Sequence, residues 1–475
     1  MALRTAKQYL DSLRDDRVVY YAGQRIKDVV AHPDFGLRAQ ENARQYGKGP
    51  DEPADIQAKR VVKLPDGEPI HRWLMPPRSR EDLLKWIEME ETMPGDIHGA
   101  MTAGLVGLQI LAKKMDAKYN KGYTPRIEKY LDWYSRQDLH GSFAMTDAKG
   151  DRSKPPSGQA DPDLWLRVVE RRKDGIVIRG AKTSVTSAAV ANELLVLPTH
   201  GMGPADADWS VACAVPANAP GVVMLSNYAG SPWGERFRFD KPLSHSKFHH
   251  DATVVFNDVF VPNERVFMDG EFEFTRELLG YFTTFHRTGI LIREPKDTKK
   301  LIGTAQLMAR YNGLEGVGGI KNTIAEMVQT AQLLDVLRFT ALNRVQFVDG
   351  ICVPDAVACN LAGLTITATR ENYITFLCEL CGGPVLTSPS GLDLQNPETA
   401  EFVKKYYVGK AGVSAEERLR LVKYIYDLGA SDASGWARAS SVTAAGSPGA
   451  RRVAVGRGFD IEACAAMVLE ELKGH

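Results

Sequence analysis

Cysteine is scarce in this chain. Six thiols in 475 residues (Cys213, Cys352, Cys359, Cys378, Cys381 and Cys464) are too few for a disulfide framework and suit a reducing compartment. An excess of either charge is also missing: 59 basic residues balance 59 acidic ones, with no long run of one sign. That excludes the basic footprint a nucleic-acid partner usually requires. No apolar run is long enough to span a bilayer, and the amphipathic start MALRTAKQYLDSLRDDRVV lacks the apolar centre of a signal peptide. These absences predict a cytoplasmic protein with neither nucleic-acid nor membrane partners. A nucleotide fingerprint is lacking too. The cluster Gly313-Leu-Glu-Gly316-Val-Gly318-Gly319 does not satisfy G-x-G-x-x-G and has no strand before it.

What is present is the composition of an ordinary globular protein, 44% hydrophobic and 25% charged, long enough for two or three packed units. Residues 1–143 read as mainly helical, with apolar residues at three- and four-residue spacing over 80–91 and 99–117. From 144 to 275 the runs become short, β-branched and punctuated (DGIVIRGAKTSVT, ELLVLP, WSVACAVP, GVVMLSN, DATVVFNDVFVP), which predicts a central antiparallel barrel or sandwich. Helical spacing returns over 276–475, at 301–310, 322–346, 356–381, 400–408 and 415–428. The expected fold is α+β in three units: an N-terminal helical domain, a central β-domain and a C-terminal helical bundle. Cys378 and Cys381 form a C-x-x-C, but their setting, ENYITFLCEL, reads as a buried helix with two cysteines on neighbouring turns. A cluster role would need further thiols, which Cys352 and Cys359 supply only if the fold gathers them.

Two segments carry the most chemistry: HGSFAMTDAKGDRSKPP at 140–156 and KDGIVIRGAKTSVTSAAVANELLVLP at 173–198. Together with VVFNDVFVPNERVF, FHRTG at 285–289, CGGPVLTSPSG at 381–391 and AGSPGARR at 445–452, they make the chain resemble the 4-hydroxyphenylacetate 3-hydroxylase and 4-hydroxybutyryl-CoA dehydratase superfamily. The likeness runs from about residue 5 to residue 465, and the dehydratase branch is the more similar. It implies an acyl-CoA dehydrogenase-like fold with a central antiparallel β-barrel, bound FAD, and a homotetramer built as a dimer of dimers. Carried over, Met145, Thr146 and Asp147 would face the flavin ring. Lys154 and the stretch Thr183, Ser184 and Thr186 to Ser187 would hold the ring and the pyrophosphate. Gly382 and Gly383 would approach the cofactor of a neighbouring subunit, where a backbone without Cβ is needed. The plainer readings are a strand for Thr183 and Thr186 and a turn cap for Asp147.

The pattern also breaks. The dehydratase branch holds a four-iron cluster by three cysteines and a histidine. The histidine falls on His286 and the catalytic glutamate on Asp251, but the cysteines fall near His98, Thr102 and Arg293, and a second glutamate near Ser440. Such a cluster needs soft thiolates, so none is expected. The arginine, tyrosine and histidine of the aromatic hydroxylase branch fall on Thr92, Asp96 and Phe143, which removes its phenol-binding set. His286, Asp251, Arg287 and His98 remain. A neutral imidazole beside a carboxylate is a workable general base or acid, with the carboxylate raising the histidine pKa. His98, His286 and Asp251 would form a two-histidine, one-carboxylate metal site if three distant segments converged; no metal is expected.

The implied activity is a two-component monooxygenase. Reduced FAD from a separate reductase would activate oxygen and hydroxylate a phenolic or related small molecule. The alternative is a cluster-free flavin lyase or isomerase acting on a hydroxyacyl-CoA or enoyl-CoA, with Asp251 or His286 taking an α-proton. A third reading is a structural or flavin-storage protein without catalysis.

Overall fold

The structure, a computed structural model, describes residues 3–47, 53–92, 98–227, 233–443 and 446–473. The N-terminal region carries α1 (Ala6–Ser12), β1 (Val18–Tyr21), β2 (Gln24–Ile26), α2 (Pro33–Ala43), α3 (Ala54–Arg60), β3 (Val61–Lys63), β4 (Pro69–His71), α4 (Arg80–Thr92), α5 (Gly99–Tyr119) and α6 (Tyr123–Gln137). The central region contributes β5 (Gly141–Ala144), β6 (Arg167–Arg171), β7 (Gly175–Thr186), β8 (Glu193–Val196), β9 (Val211–Pro216), β10 (Val222–Ser226), β11 (Asp251–Pro262) and β12 (Val266–Asp269). The C-terminal region has α7 (Thr275–Tyr311), α8 (Gly318–Asn343), the hairpin β13 (Gln346–Val348) and β14 (Ile351–Val353), α9 (Ala356–Cys381), α10 (Pro384–Thr387), α11 (Ala400–Tyr406), α12 (Ala415–Gly429), α13 (Asp432–Thr443), α14 (Pro448–Gly456) and α15 (Ile461–Lys473).

The expected closed barrel is corrected by the strand pairing. The strands form a six-stranded sheet, β2-β1-β10-β11-β7-β6, and a four-stranded sheet, β12-β9-β8-β5. Neither closes among the described residues. Neither is purely antiparallel, because β1 pairs parallel to β10 and β5 parallel to β8. In the six-stranded sheet the parallel pair comes from the N-terminus, where Val18–Tyr21 joins Val223–Ser226 and Gln24–Ile26 forms the edge. Between the sheets lies a dry layer including Val19, Ile178, Val185, Leu194, Val215, Met224, Val254 and Phe256, none more than 2% exposed. Each such side chain contributes about 1.5–3 kcal/mol on burial.

The two longest strands pair with each other and bend twice. β11 shifts register against β7 between Ala252 and Val254 and between Phe256 and Val259, the latter around Asp258 at φ 54°. Such bulges increase local twist and re-aim the strand end. Gly180 on β7 has φ +125°, and a Cβ there would lie 2.6 Å from the carbonyl oxygen of Trp165, so only glycine lets the neighbouring chain pass.

α5 packs against both the four-stranded sheet and α7. Gly104 faces Leu195 and Leu197 of the four-stranded sheet, and Gly107 faces Leu278 and Phe282 of α7. The expected helix at 301–310 is the last part of the far longer α7, which continues through the buried Pro295. Proline lacks the amide hydrogen for an interior helix bond, at a cost of about 3 kcal/mol. Packing on both sides of it, by Leu291, Ile292 and Leu301, offsets that cost. Cys378 and Cys381 lie at the end of α9 as expected for a helix, and all six cysteines are free thiols.

Candidate functional site

The turn after β5 is held from three sides. Lys182, on β7, donates from Nζ to the carbonyl oxygens of Met145 (3.0 Å) and Leu197 (2.9 Å) and pairs with Asp147 Oδ1 at 2.7 Å. Both charged side chains are 2% exposed. Thr199 Oγ1 lies 2.7 Å from Asp147 Oδ2, accepts from the Asp147 amide at 3.1 Å, and reaches the Met145 carbonyl. Thr183 N donates to the Thr146 carbonyl at 2.6 Å. Burial pushes the Lys182 ammonium pKa down, and the Asp147 carboxylate opposes that shift. Asp147 is therefore not a plain turn cap but one half of a buried ion pair.

One strand end further on, the other expected residues separate. Thr186 Oγ1 donates to Asp251 Oδ1 at 2.6 Å, joining the ends of β7 and β11. Ser184 and Ser187 both adopt left-handed backbone, φ 55° and 60°. Ser187 Oγ accepts from Arg38 Nε at 3.1 Å, while the Ser184 and Thr186 side chains stand exposed. Beside this end, His249 stacks on Trp436 of α13 with ring centroids 4.2 Å apart. Lys154 is exposed and lies 3.4 Å from Asp151. Gly382 ends α9 at φ +66°, and nothing stands within 4 Å of a Cβ built on Gly383.

His286 approaches the turn from α7. Its half-buried ring stacks on Phe282 (5.4 Å) and meets the edge of Phe143 (5.4 Å), two residues before Met145. Burial pushes its pKa down to about 4, and Arg293, Arg287 and Arg451 push the same way. This is the reverse of the shift expected from a carboxylate partner. Asp251 is bonded to Thr186 instead, and no hydrogen bond or ion pair joins it to His286. Arg287 points elsewhere: buried, it donates from Nη1 to Asn360 Oδ1 at 2.6 Å, and a Cβ on Gly446 would sit 2.7 Å from its Nη2. Arg451 of α14, 2% exposed, donates to the Gly363 carbonyl (2.9 Å) and Thr367 Oγ1 (3.0 Å) of α9. Burial, reinforced by Arg451, lowers the Arg287 pKa to about 10. The FHRTG and AGSPGARR segments thus meet across α9.

His98 is not in this group. It is fully buried, with Nε2 3.1 Å from Asp138 Oδ1 and its ring 4.6 Å from that of His71. The three-residue metal site is therefore not assembled, and among the described residues no group of three His, Cys, Asp or Glu could hold a metal. Asp96 and the side chain of Thr92 lie outside the described residues. Sequence reasoning missed Lys182 and Thr199. The available signal was a lysine at an inward position of a β-branched strand, where an unpaired charge is untenable.

Comparison with known proteins places this geometry. The 4-hydroxyphenylacetate 3-hydroxylase N-terminal family matches residues 5–268, and its C-terminal counterpart matches residues 275–473. The chain is 30% identical to a 4-hydroxybutyryl-CoA dehydratase/vinylacetyl-CoA-Delta-isomerase of Clostridium aminobutyricum, over 97% of each chain. It is 26% identical to the oxygenase component of a 4-hydroxyphenylacetate 3-monooxygenase of Thermus thermophilus, over 90% of this chain and 88% of the other. An oxygen-tolerant archaeal 4-hydroxybutyryl-CoA dehydratase from N. maritimus superposes with a TM-score of 0.86 at 27% identity, covering 100% of this chain and 95% of that one. A 4-hydroxyphenylacetate 3-monooxygenase oxygenase component, solved with FAD and 4-hydroxyphenylacetate, superposes with a TM-score of 0.85 at 23% identity, covering 99% and 98%. With both halves matched and this architecture shared, the chain belongs to the 4-hydroxyphenylacetate 3-hydroxylase family.

Proposed function

We propose that the chain is an FAD-dependent oxygenase component that receives reduced flavin from a separate reductase and hydroxylates a phenolic or related small molecule. The observation that carries this reading is the neutral His286 imidazole, packed on Phe282 and on Phe143, the latter two residues before Met145. An imidazole that stays neutral can accept a hydrogen bond from a substrate hydroxyl and so orient it. FAD fits the residues present. The Ser184 and Thr186 hydroxyls stand exposed at the end of β7, and the Thr183 side chain is only half-buried, so a planar ring can reach them without displacing packed side chains. Met145, Thr146, Asp147, Thr183, Ser184 and Thr186 would hold the ring, with Lys154 toward the phosphates. Gly382 and Gly383, open at the end of α9, would approach the cofactor of a second copy. When bound, FAD supplies the oxygen and electron chemistry; the chain positions substrate and orients its hydroxyl.

A four-iron cluster does not fit. Histidine, threonine and arginine stand at His98, Thr102 and Arg293, and Cys359, the thiol that faces Arg287, is buried with its pKa raised to about 12. The cluster-free lyase or isomerase reading is favoured by one observation, the 30% identity to a dehydratase over 97% of both chains.

The homotetramer is part of the same proposal. Val336 and Phe339 on α8 are 59% and 66% exposed, and Ile461, Val468 and Leu472 on α15 are 67%, 55% and 64% exposed. Phe339 lines a groove of about 250 Å³ with Leu84, Arg338 and Leu342. Apolar surface of this kind is normally covered by another chain.

The test is oxygen uptake by the reduced, FAD-loaded protein with a panel of phenols, beside anaerobic mixing with CoA thioesters. Substrate-dependent uptake with a hydroxylated product supports the oxygenase. Bleaching of the flavin by a CoA thioester without oxygen supports the lyase instead.

A further inference from the structure

We propose that Lys182 is the positioning residue for the flavin: it presents the Met145–Thr146–Asp147 turn to the ring without touching the ring itself. The inference rests on the flavin reading of that turn.

A lysine ammonium has three N–H donors and no acceptor. All three are accounted for here, by Met145 O, Leu197 O and Asp147 Oδ1, within 2.7–3.0 Å. No donor remains for a ligand, and the side chain is 2% exposed. The three acceptors come from two different segments. β5 and β8 run parallel with Ala144 opposite Val196, and Leu197 N donates to the Ala144 carbonyl at 3.1 Å. Met145 and Leu197 are the next residues, where the two chains part. Without Lys182 the Leu197 carbonyl would be buried with no partner and the Met145 carbonyl would keep only the Thr199 hydroxyl; Lys182 reaches from the other sheet to bond both. The same ammonium fixes Asp147, which also takes the Leu166 amide at 3.4 Å and Thr199 Oγ1 at 2.7 Å. One side chain of β7 therefore sets the height of the turn relative to the strand whose end carries Thr183, Ser184 and Thr186. The pair is net neutral, so its effect on a bound ring is geometric rather than a matter of added charge.

Removing Lys182 alone leaves the Asp147 carboxylate buried and uncompensated, so Lys182→Met is a poor test. The informative variants are the double Lys182→Met/Asp147→Asn, which removes both charges, and Thr199→Val, which keeps the ion pair and removes one hydroxyl. FAD is titrated into each purified full-length protein, recording the dissociation constant, the visible absorption bands, the two-electron potential of bound flavin and the apo-protein unfolding temperature. Expected is a folded protein whose unfolding temperature falls in the double variant, which leaves the buried Leu197 carbonyl unmet, and stays closer to wild type in Thr199→Val, with FAD binding weakened tenfold or more in the double variant and severalfold in Thr199→Val, and shifted bands and potential in both. If the double variant fails to fold, Lys182→Arg, which keeps the charge but shifts the donors, is titrated in its place and decides the question. A folded variant that binds FAD with the wild-type constant and spectrum overturns the inference while leaving the flavin reading intact. Wild-type protein that does not bind FAD overturns the flavin reading, and the inference with it.

Discussion

The edge of Phe143 meets the ring of His286 at 5.4 Å, linking the last turns of β5 to the middle of α7. Phe282 stacks on the same imidazole at 5.4 Å and packs against Phe143 at 5.0 Å, so the three rings form one cluster. A histidine so enclosed and flanked by arginines stays neutral far below its ordinary pKa.

The pH dependence follows from that neutrality. With a pKa of about 4, His286 holds its basic form throughout the physiological range and gains a proton only as pH falls toward 4. Substrate turnover is expected to show no acid limb near 6.5 from this residue. His286→Gln should lower kcat/KM about 2- to 10-fold, the usual worth of one substrate-orienting hydrogen bond. A pH–rate profile of wild type and variant checks both; a wild-type limb at 6–7 that disappears in the variant contradicts them.

Buried histidines also weaken the fold in acid, His140 and His250 among them. Burial lowers His140 and His250 to about 3, and both are nearly inaccessible, 4% and 1% exposed. In the unfolded chain they titrate near their ordinary value of 6.5, so between about 6.5 and 3 the unfolded state binds more protons and stability falls as pH is lowered. Each contributes a slope of up to ~1.4 kcal/mol per pH unit. Urea unfolding from pH 7 to pH 4 measures it.

His250 offers a sharper test. Both its ring nitrogens are buried without hydrogen-bond partners, and the ring lies among Phe35 (4.8 Å) and Phe248 (5.6 Å). His250→Phe removes two unmet polar atoms from an apolar site and should stabilise the protein at pH 7 by about 1 kcal/mol, while flattening the acid slope. Calorimetry or urea titration distinguishes this from destabilisation by overpacking.

Gly446 tests the meeting of the FHRTG and AGSPGARR segments. At φ +86°, with Arg287 Nη2 only 2.7 Å from where a Cβ would stand, Gly446→Ala combines backbone strain with displacement of a buried guanidinium. A loss of more than ~1 kcal/mol is expected, read as a lower unfolding temperature.

The exposed faces of α8 and α15 make a hydrodynamic prediction. If the proposed tetramer forms through them, Phe339→Asp and Leu472→Asp should each shift sedimentation toward smaller species, without lowering the helix signal. Unchanged sedimentation for both would remove these faces from the assembly.

The sequence made some of this architecture legible and hid the rest for identifiable reasons. β7 and β11 were readable because their β-branched residues are buried in the expected stretches. β1 was not: Val18–Tyr21 is four residues in a charged stretch, and it becomes a strand only through parallel pairing with residues 223–226, some 200 positions away. α7 was seen only in its last part because Pro295 interrupts the local signal, while the packing that carries the helix through it is tertiary. In the site, the nearness of residues 145–147 to Thr183 was inferable from resemblance. The Lys182–Asp147 pair was not, because which way a strand side chain points between two sheets depends on how those sheets are stacked. His286 and Asp251 were expected as a pair, yet α7 turns His286 toward Phe143 while β11 leaves Asp251 on Thr186.

The most direct test of the central claim is the visible spectrum of protein purified without air, with iron analysis of the same sample. The bands of oxidised FAD, retained or restored by added FAD, are expected, with no iron. A broad brown absorbance with about four irons per subunit would contradict it and return the chain to cluster-bearing dehydratase chemistry.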